Sequence, residues 1–122
     1  QLGTAFLCCD EAGIDESYKE LLLKQTNDST VLTKAFSGKL ARAISNQFTK
    51  CMQAEANTIL NYPIQNKLTK GMRDKAKSQA NTEYMSLWAG QSVYLARKLD
   101  ALSLLLTLTK EADNYTAHSR PN

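Results

Sequence analysis

Two short stretches of this chain carry residue types that could hold an anionic ligand. In Gln1-Leu2-Gly3-Thr4-Ala5-Phe6-Leu7 the pattern reads as an apolar β-strand ending at a turn of the phosphate-binding kind. There Gly3 admits close approach to backbone N–H donors and Thr4 adds a hydroxyl. In Tyr84-Met85-Ser86-Leu87-Trp88-Ala89-Gly90-Gln91 the only tryptophan stands beside a small-small-amide triplet that also lets main chain come near a ligand. An ordinary buried strand and a core tryptophan are the plain alternatives.

Other reactive types offer less. Cys8, Cys9 and Cys51 are an odd set with an adjacent pair, neither a disulfide framework nor a zinc spacing. A nucleophilic thiol needs a base, and the only histidine, His118, stands in a polar tail with Arg120, Pro121 and Asn122 that is expected to be mobile. Cysteine catalysis is therefore set aside, and no catalytic or metal-binding residue is assigned. The cations Lys67, Lys70, Arg73, Lys75 and Lys77 lie close together, but Asp74 is among them and no aromatic residue is interleaved for base stacking. They read as a solvated helix face.

The elements that must position these residues are mostly helical. Ile14, Tyr18, Leu21 and Leu22 share a face, with Asp15 as N-cap of a helix over 15–25. A strand-like run from Val31 to Phe36 leads into Ser37-Gly38. Leu40, Ile44, Phe48 and Met52 then recur every four residues and predict an amphipathic helix. Residues 53–62 read as a frayed end and a connection, and Pro63 opens a helix striped by Ile64, Leu68, Met72 and Ala76. Asn81-Thr82 can cap a further turn, Gly90 marks a break before helix over Ser92–Leu99, and Asp100 can cap a last helix. Its Leu102, Leu105, Leu106 and Leu108 form a wide apolar face suited to a sheet.

Composition sets outer bounds. The chain has 122 residues and 43% hydrophobic content, enough for one modest core. A net charge of +3 makes no electrostatic case for nucleic acid or an anionic membrane. The apolar run Ala101 to Leu108 is far too short for a bilayer span, and no basic flank with an apolar run marks a signal peptide in the residues shown. Cytoplasmic localisation is the simplest expectation for this cysteine usage.

One strand, then a long helical stretch, then a final amphipathic helix is the order expected of an α/β fold cut late in a (β/α)₈ barrel. Strand eight, an insertion in its βα loop and helix eight would be what remains. The divisions are 1–9 for the last barrel strand and phosphate turn, 10–85 for a helical substrate or lid domain, 86–112 for the return to the barrel and final helix, and 113–122 for a flexible tail. The insertion then lies on the face where such barrels build their sites.

Together with Ser37-Gly38-Lys39-Leu40-Ala41-Arg42, Asn46-Gln47-Phe48 and Tyr62-Pro63-Ile64-Gln65-Asn66, the two stretches above resemble the nitronate monooxygenases, formerly 2-nitropropane dioxygenases, across roughly residues 1 to 112. The resemblance implies an FMN-binding TIM barrel with a helical domain over the flavin. It implies oxidation of alkyl nitronates by O₂ to carbonyl compounds and nitrite, a detoxification of compounds such as propionate 3-nitronate. It also implies that Gln1, Leu2, Gly3 and Thr4 lie at the FMN phosphate, with Ala89, Gly90 and Gln91 close to the cofactor. Arg42, Asn46 and Gln65 read as structural. The partners implied are a small nitronate and O₂, without nucleic acid or membrane, and homo-oligomerisation is compatible with them. The family's histidine base falls upstream of Gln1, so a molecule beginning there is expected to bind no FMN and to be inactive. Two alternatives stay open: a related FMN-dependent enoyl reductase, and a non-catalytic helical interaction module.

Overall fold

The computed structural model of the chain describes residues 2–119. Its elements in order are α1 (Gly3–Leu7), α2 (Glu16–Leu23), β1 (Thr30–Thr33), β2 (Ala41–Ile44), α3 (Gln47–Ala54), α4 (Ile64–Ser78) and α5 (Ala101–His118), with single 3₁₀ turns at Ala56–Thr58, Thr82–Tyr84 and Val93–Leu95. The core gathers Tyr18 and Leu22 from α2, Ile44 from β2, Ala76 from α4 and Met85, Leu87, Ala89 and Val93 from the late loops, with Cys8 beneath them. Burying each large apolar side chain contributes about 1.5–3 kcal/mol.

The segment expected to be a barrel strand is helical instead. Phe6 N–H donates to Leu2 O at 3.2 Å, and Gly3–Leu7 forms a short α-helix. A parallel strand is held only by ladder partners. Among the described residues none pairs with this segment, so its backbone groups close locally. Among the described residues the one sheet is a two-stranded antiparallel hairpin, in a helix-rich α/β unit consistent with being part of a barrel. Gln1 lies outside the described residues.

The hairpin pairs Thr30 with Ile44, Val31 with Ala43, Leu32 with Arg42 and Thr33 with Ala41. The helix predicted across Leu40–Met52 therefore divides: its first part is β2, and only Gln47–Ala54 is helical. Asn46 draws the boundary. Its side chain accepts from Thr49 N–H at 3.1 Å while Thr49 Oγ1 takes the Asn46 N–H at 2.9 Å, a closed capping box that starts α3 there and no earlier. Pairing along both edges of β2 outweighs the four-residue apolar period of Leu40, Ile44 and Phe48.

Side chains read as structural take that part. Asn46 Nδ2 donates to Thr82 O at 2.9 Å and Met85 O at 2.8 Å, and Arg42 Nη1 donates to Thr30 Oγ1 at 3.0 Å. Buried Gln65 spans Ala35 O at 2.7 Å and Leu60 N–H at 3.1 Å, tying α4 to the hairpin loop. Gly38 in that loop sits at φ +84°, and a Cβ there would come within 2.5 Å of Leu60 O. Only glycine fits such a position.

At the C-terminal end three expectations change. Ser92–Leu99 forms one 3₁₀ turn rather than a helix, because Ala96 turns extended (φ −62°, ψ 142°) and carries the chain to Asp100. Asp100 caps α5 as expected, accepting from Ser103 N–H at 2.9 Å. Once nucleated, that helix runs on to His118, across most of the span expected to be a flexible tail, since propagation costs little after the first turn. Residues 120–122 of that tail lie outside the described residues. Among the described residues the wide leucine face meets no sheet: Leu104 is buried, whereas Leu102, Leu105 and Leu106 are exposed. No helix among the described residues is long and apolar enough to cross a membrane.

Candidate functional site

β2 is the element that places the tryptophan segment. Its edge away from β1 accepts a short extra pairing, in which Ile44 N–H donates to Leu87 O at 2.9 Å, Ala89 N–H donates to Arg42 O at 3.3 Å, and Ala43 bridges Trp88. The Tyr18 hydroxyl donates to Trp88 O, and the Trp88 ring stands edge-on to Phe36 with centroids 5.7 Å apart. Burial pushes the Tyr18 hydroxyl well above the usual tyrosine range, with a smaller push from Cys8, so it stays protonated as a donor. Trp88 is thus partly core, and the chain leaves the sheet at Gly90 along a fixed direction.

There it meets α1. Gly90 N–H donates to Thr4 Oγ1 at 2.8 Å, joining segments 86 residues apart. A cavity of about 540 Å³ opens at this junction. Leu2, Gly3, Thr4 and Ala5 form one side, Gly90, Gln91 and Ser92 another, and Leu95, Ala96, Arg97, Leu104, Leu108 and Glu111 the remainder. This volume lies within the range of small-molecule and cofactor sites.

Of the predicted site residues, Leu2, Gly3, Thr4, Gly90 and Gln91 come together in this wall. Ala89 is buried in the core just behind it, and Gln1 is outside the described residues. The two glycines differ in kind. A Cβ at Gly90 would make only ordinary contact with Thr4 Oγ1, at 3.6 Å, while a Cβ at Gly3 would meet no protein atom within 4 Å. Among the described residues nothing crowds position 3, whose backbone is exposed.

Gln91 carries a second constraint. Its Nε2 donates to Asp28 Oδ2 at 3.2 Å, and Asp28 Oδ1 accepts from Thr30 N–H at 3.0 Å and from the Thr30 hydroxyl. The bonds from Thr30 chiefly hold the Asp28 carboxyl below the usual aspartate range, with smaller help from Gln91 and Arg42. An ionised carboxylate only accepts, so the amide nitrogen must face it.

Arg97 and Glu111 are the wall residues that sequence reading missed. They form a bidentate pair, Nη1 to Oε1 and Nη2 to Oε2, both at 2.8 Å. The bend at Ala96 and the cap at Asp100 bring them together, and no periodic signal spans that interval. Each holds the other charged: the bond from Glu111 raises the arginine further and the bond from Arg97 lowers the carboxyl.

The three cysteines differ in burial. Cys8 and Cys9 are buried and Cys51 is exposed, all with free thiols. Burial, foremost, pushes both buried thiols above the ordinary value; Cys9 adds to the effect at Cys8, and Glu11, Asp10 and Asp100 add to it at Cys9. Among the described residues no cluster of His, Cys, Asp or Glu is arranged to hold a metal. A second cavity of about 440 Å³, between the hairpin, α3 and residues 59–61, shares no residue with the first.

The family model for nitronate monooxygenase matches residues 1–111. The chain is 38% identical over 113 residues to the "Probable nitronate monooxygenase" of Staphylococcus saprophyticus, covering 93% of this chain and 32% of that protein. With the protein of the same name from Bacillus subtilis it shares 41% identity over 112 residues, 91% of this chain and 32% of the relative. Among solved structures, nitroalkane oxidase from Streptomyces ansochromogenes superposes with a TM-score of 0.87 at 38% identity, over 98% of this chain and 34% of that one. FabK from Thermotoga maritima, in its M276A form, shares the fold at a TM-score of 0.70 and 21% identity, over 95% of this chain and 34% of that one. The chain spans about a third of the length of these relatives, and it belongs to the nitronate monooxygenase family.

Proposed function

We propose that this chain is the C-terminal part of an FMN-dependent enzyme that oxidises alkyl nitronates with O₂ to a carbonyl compound and nitrite. The observation that carries the reading is the junction of Thr4 with Gly90 at the rim of one cavity, because segments far apart in sequence and both expected at the cofactor meet there. Gly3 leaves its main chain uncovered, as close approach of a phosphate would require, and the Thr4 hydroxyl follows it directly in the chain. Gly3, Thr4, Gly90 and Gln91 would hold FMN, with Leu2 and Ala89 shaping the walls, and Gln1 belongs to the same proposed set.

When bound, the flavin supplies the redox chemistry of nitronate oxidation. This chain's residues position and enclose. The bond from Gly90 N–H to Thr4 Oγ1 fixes the distance between the two walls, and Asp28 turns the Gln91 amide so that its Oε1 and second N–H remain for the ligand. Leu2, Leu95, Leu104 and Leu108 line the cavity with apolar surface that displaces water. No residue here is assigned as the base, so residues 1–122 alone are proposed to be inactive. Residues 10–85 would form the wall of a substrate domain over the cofactor, and the three free thiols suit a cytoplasmic setting.

The test is a paired preparation of the full-length polypeptide and of residues 1–122. The longer protein should be yellow, show a flavin absorption band and release nitrite from propyl-2-nitronate; the shorter one should do none of these. A colourless full-length protein with no nitrite release would overturn the reading.

A further inference from the structure

Among the described residues, Arg97 and Glu111 are the only charged ones in the wall of the cavity shared by α1, the Gly90 segment and α5. Their pair is bidentate and partly open to solvent, with side-chain accessibilities of 38% and 53%. We propose that Arg97 is the anchor for a phosphomonoester in this cavity, held ready by Glu111 as a resident counter-ion and transferred to the cofactor phosphate when it arrives. This rests on the FMN reading above and adds to it a residue and a partner exchange.

The chemistry favours the exchange. A guanidinium presents a rigid fork that matches carboxylate and phosphate oxygens equally well, so the geometry seen with Glu111 is the one a phosphate would use. A solvent-exposed ion pair contributes little net stability, so giving it up costs little. A phosphomonoester carries about −1.5 to −2 charges near neutral pH and so competes well with a single carboxylate. Gly3 and the Thr4 hydroxyl line another side of the same cavity, so a ligand reaching Arg97 is still within the space those residues bound. A purely structural ion pair needs both partners equally, whereas an anchor with a counter-ion needs only the arginine. The two roles therefore predict different signs for the two variants.

The experiment measures FMN and riboflavin binding to the full-length polypeptide by flavin fluorescence, for wild type, Arg97→Gln, Arg97→Lys and Glu111→Gln. Riboflavin has the same ring system without the phosphate. Arg97→Gln should weaken FMN at least tenfold and leave riboflavin unchanged. Arg97→Lys, which keeps charge but loses the fork, should fall between, and it stands in for Arg97→Gln should that variant fail to fold. Glu111→Gln should bind FMN as well as wild type or more tightly. Equal FMN losses in the arginine and glutamate variants, equal losses of FMN and riboflavin, or unchanged FMN binding in both arginine variants would each overturn the anchor while leaving the FMN reading intact. If wild type binds neither flavin, the FMN reading falls and takes the anchor with it.

Discussion

Thr4 and Gly90, 86 residues apart, are joined by a 2.8 Å hydrogen bond from the Gly90 main-chain N–H to the threonine hydroxyl. The bond sets the gap across which the cavity opens. Thr4→Val keeps the shape and removes the acceptor, leaving a partly buried N–H unpaired, and should cost about 1–2 kcal/mol in urea unfolding. Thr4→Ser keeps the acceptor and should unfold close to wild type. FMN affinity should fall in the valine variant and be retained in the serine one.

Gly38 is required by backbone conformation and by space at once. With φ at +84° and Leu60 O 2.5 Å from any added Cβ, Gly38→Ala must move the chain at residues 60–62. A loss of at least about 2 kcal/mol in unfolding free energy from denaturant titration is expected, at the larger end for a single methyl group. Gly71, where an added Cβ meets no atom within 4 Å, provides the control: Gly71→Ala, inside α4, should stabilise by roughly 0.5–1 kcal/mol.

Asp100 links the stability of α5 to pH. Bonds from the Ser103 hydroxyl and N–H hold its carboxyl below the usual value, so the folded state favours the ionised form. Its contribution is full above the ordinary aspartate value of about 3.9 and is lost as pH falls through the lowered native value. Asp100→Asn still caps but cannot titrate. Plotted from pH 6 to pH 2, the unfolding midpoint of the variant should fall less steeply than that of wild type, and parallel curves would refute the linkage.

The three thiols should separate by reactivity. Cys51 is exposed, while Cys8 and Cys9 are buried and pushed up by desolvation. Brief treatment with iodoacetamide at neutral pH should label Cys51 alone by peptide mass spectrometry, and denaturant should release the other two. Rapid native labelling at Cys8 or Cys9 would mean that the core around Leu22 opens readily.

Leu102, Leu105 and Leu106 are 65%, 51% and 62% exposed along one helix. Residues 1–122 expressed alone should therefore self-associate through this apolar surface. Replacing the three leucines with glutamine should shift the species towards monomer in size-exclusion chromatography. An unchanged elution volume would place the association elsewhere.

Much of the local structure was legible in the residues. Asp15 and Asp100 marked helix starts, Pro63 opened α4, and Gln65 and Asn46 could be read as side chains that bind backbone rather than ligand. These signals act over one turn of helix, which is the range at which sequence determines conformation directly. The two glycine-bearing segments were also visible, through residue type and resemblance. Tertiary structure decided the rest. Ala41–Ile44 is a strand because β1 and residues 87–89 offer hydrogen bonds on both its edges, and no local period encodes partners that distant. Gly3–Leu7 is helical, its Phe6 N–H bonded back to Leu2 O, and Arg97 meets Glu111 only because the chain bends between them. Residue types fixed what each segment could bond, and packing chose which bonds were made, since a pairing across 86 residues depends on every element that folds between.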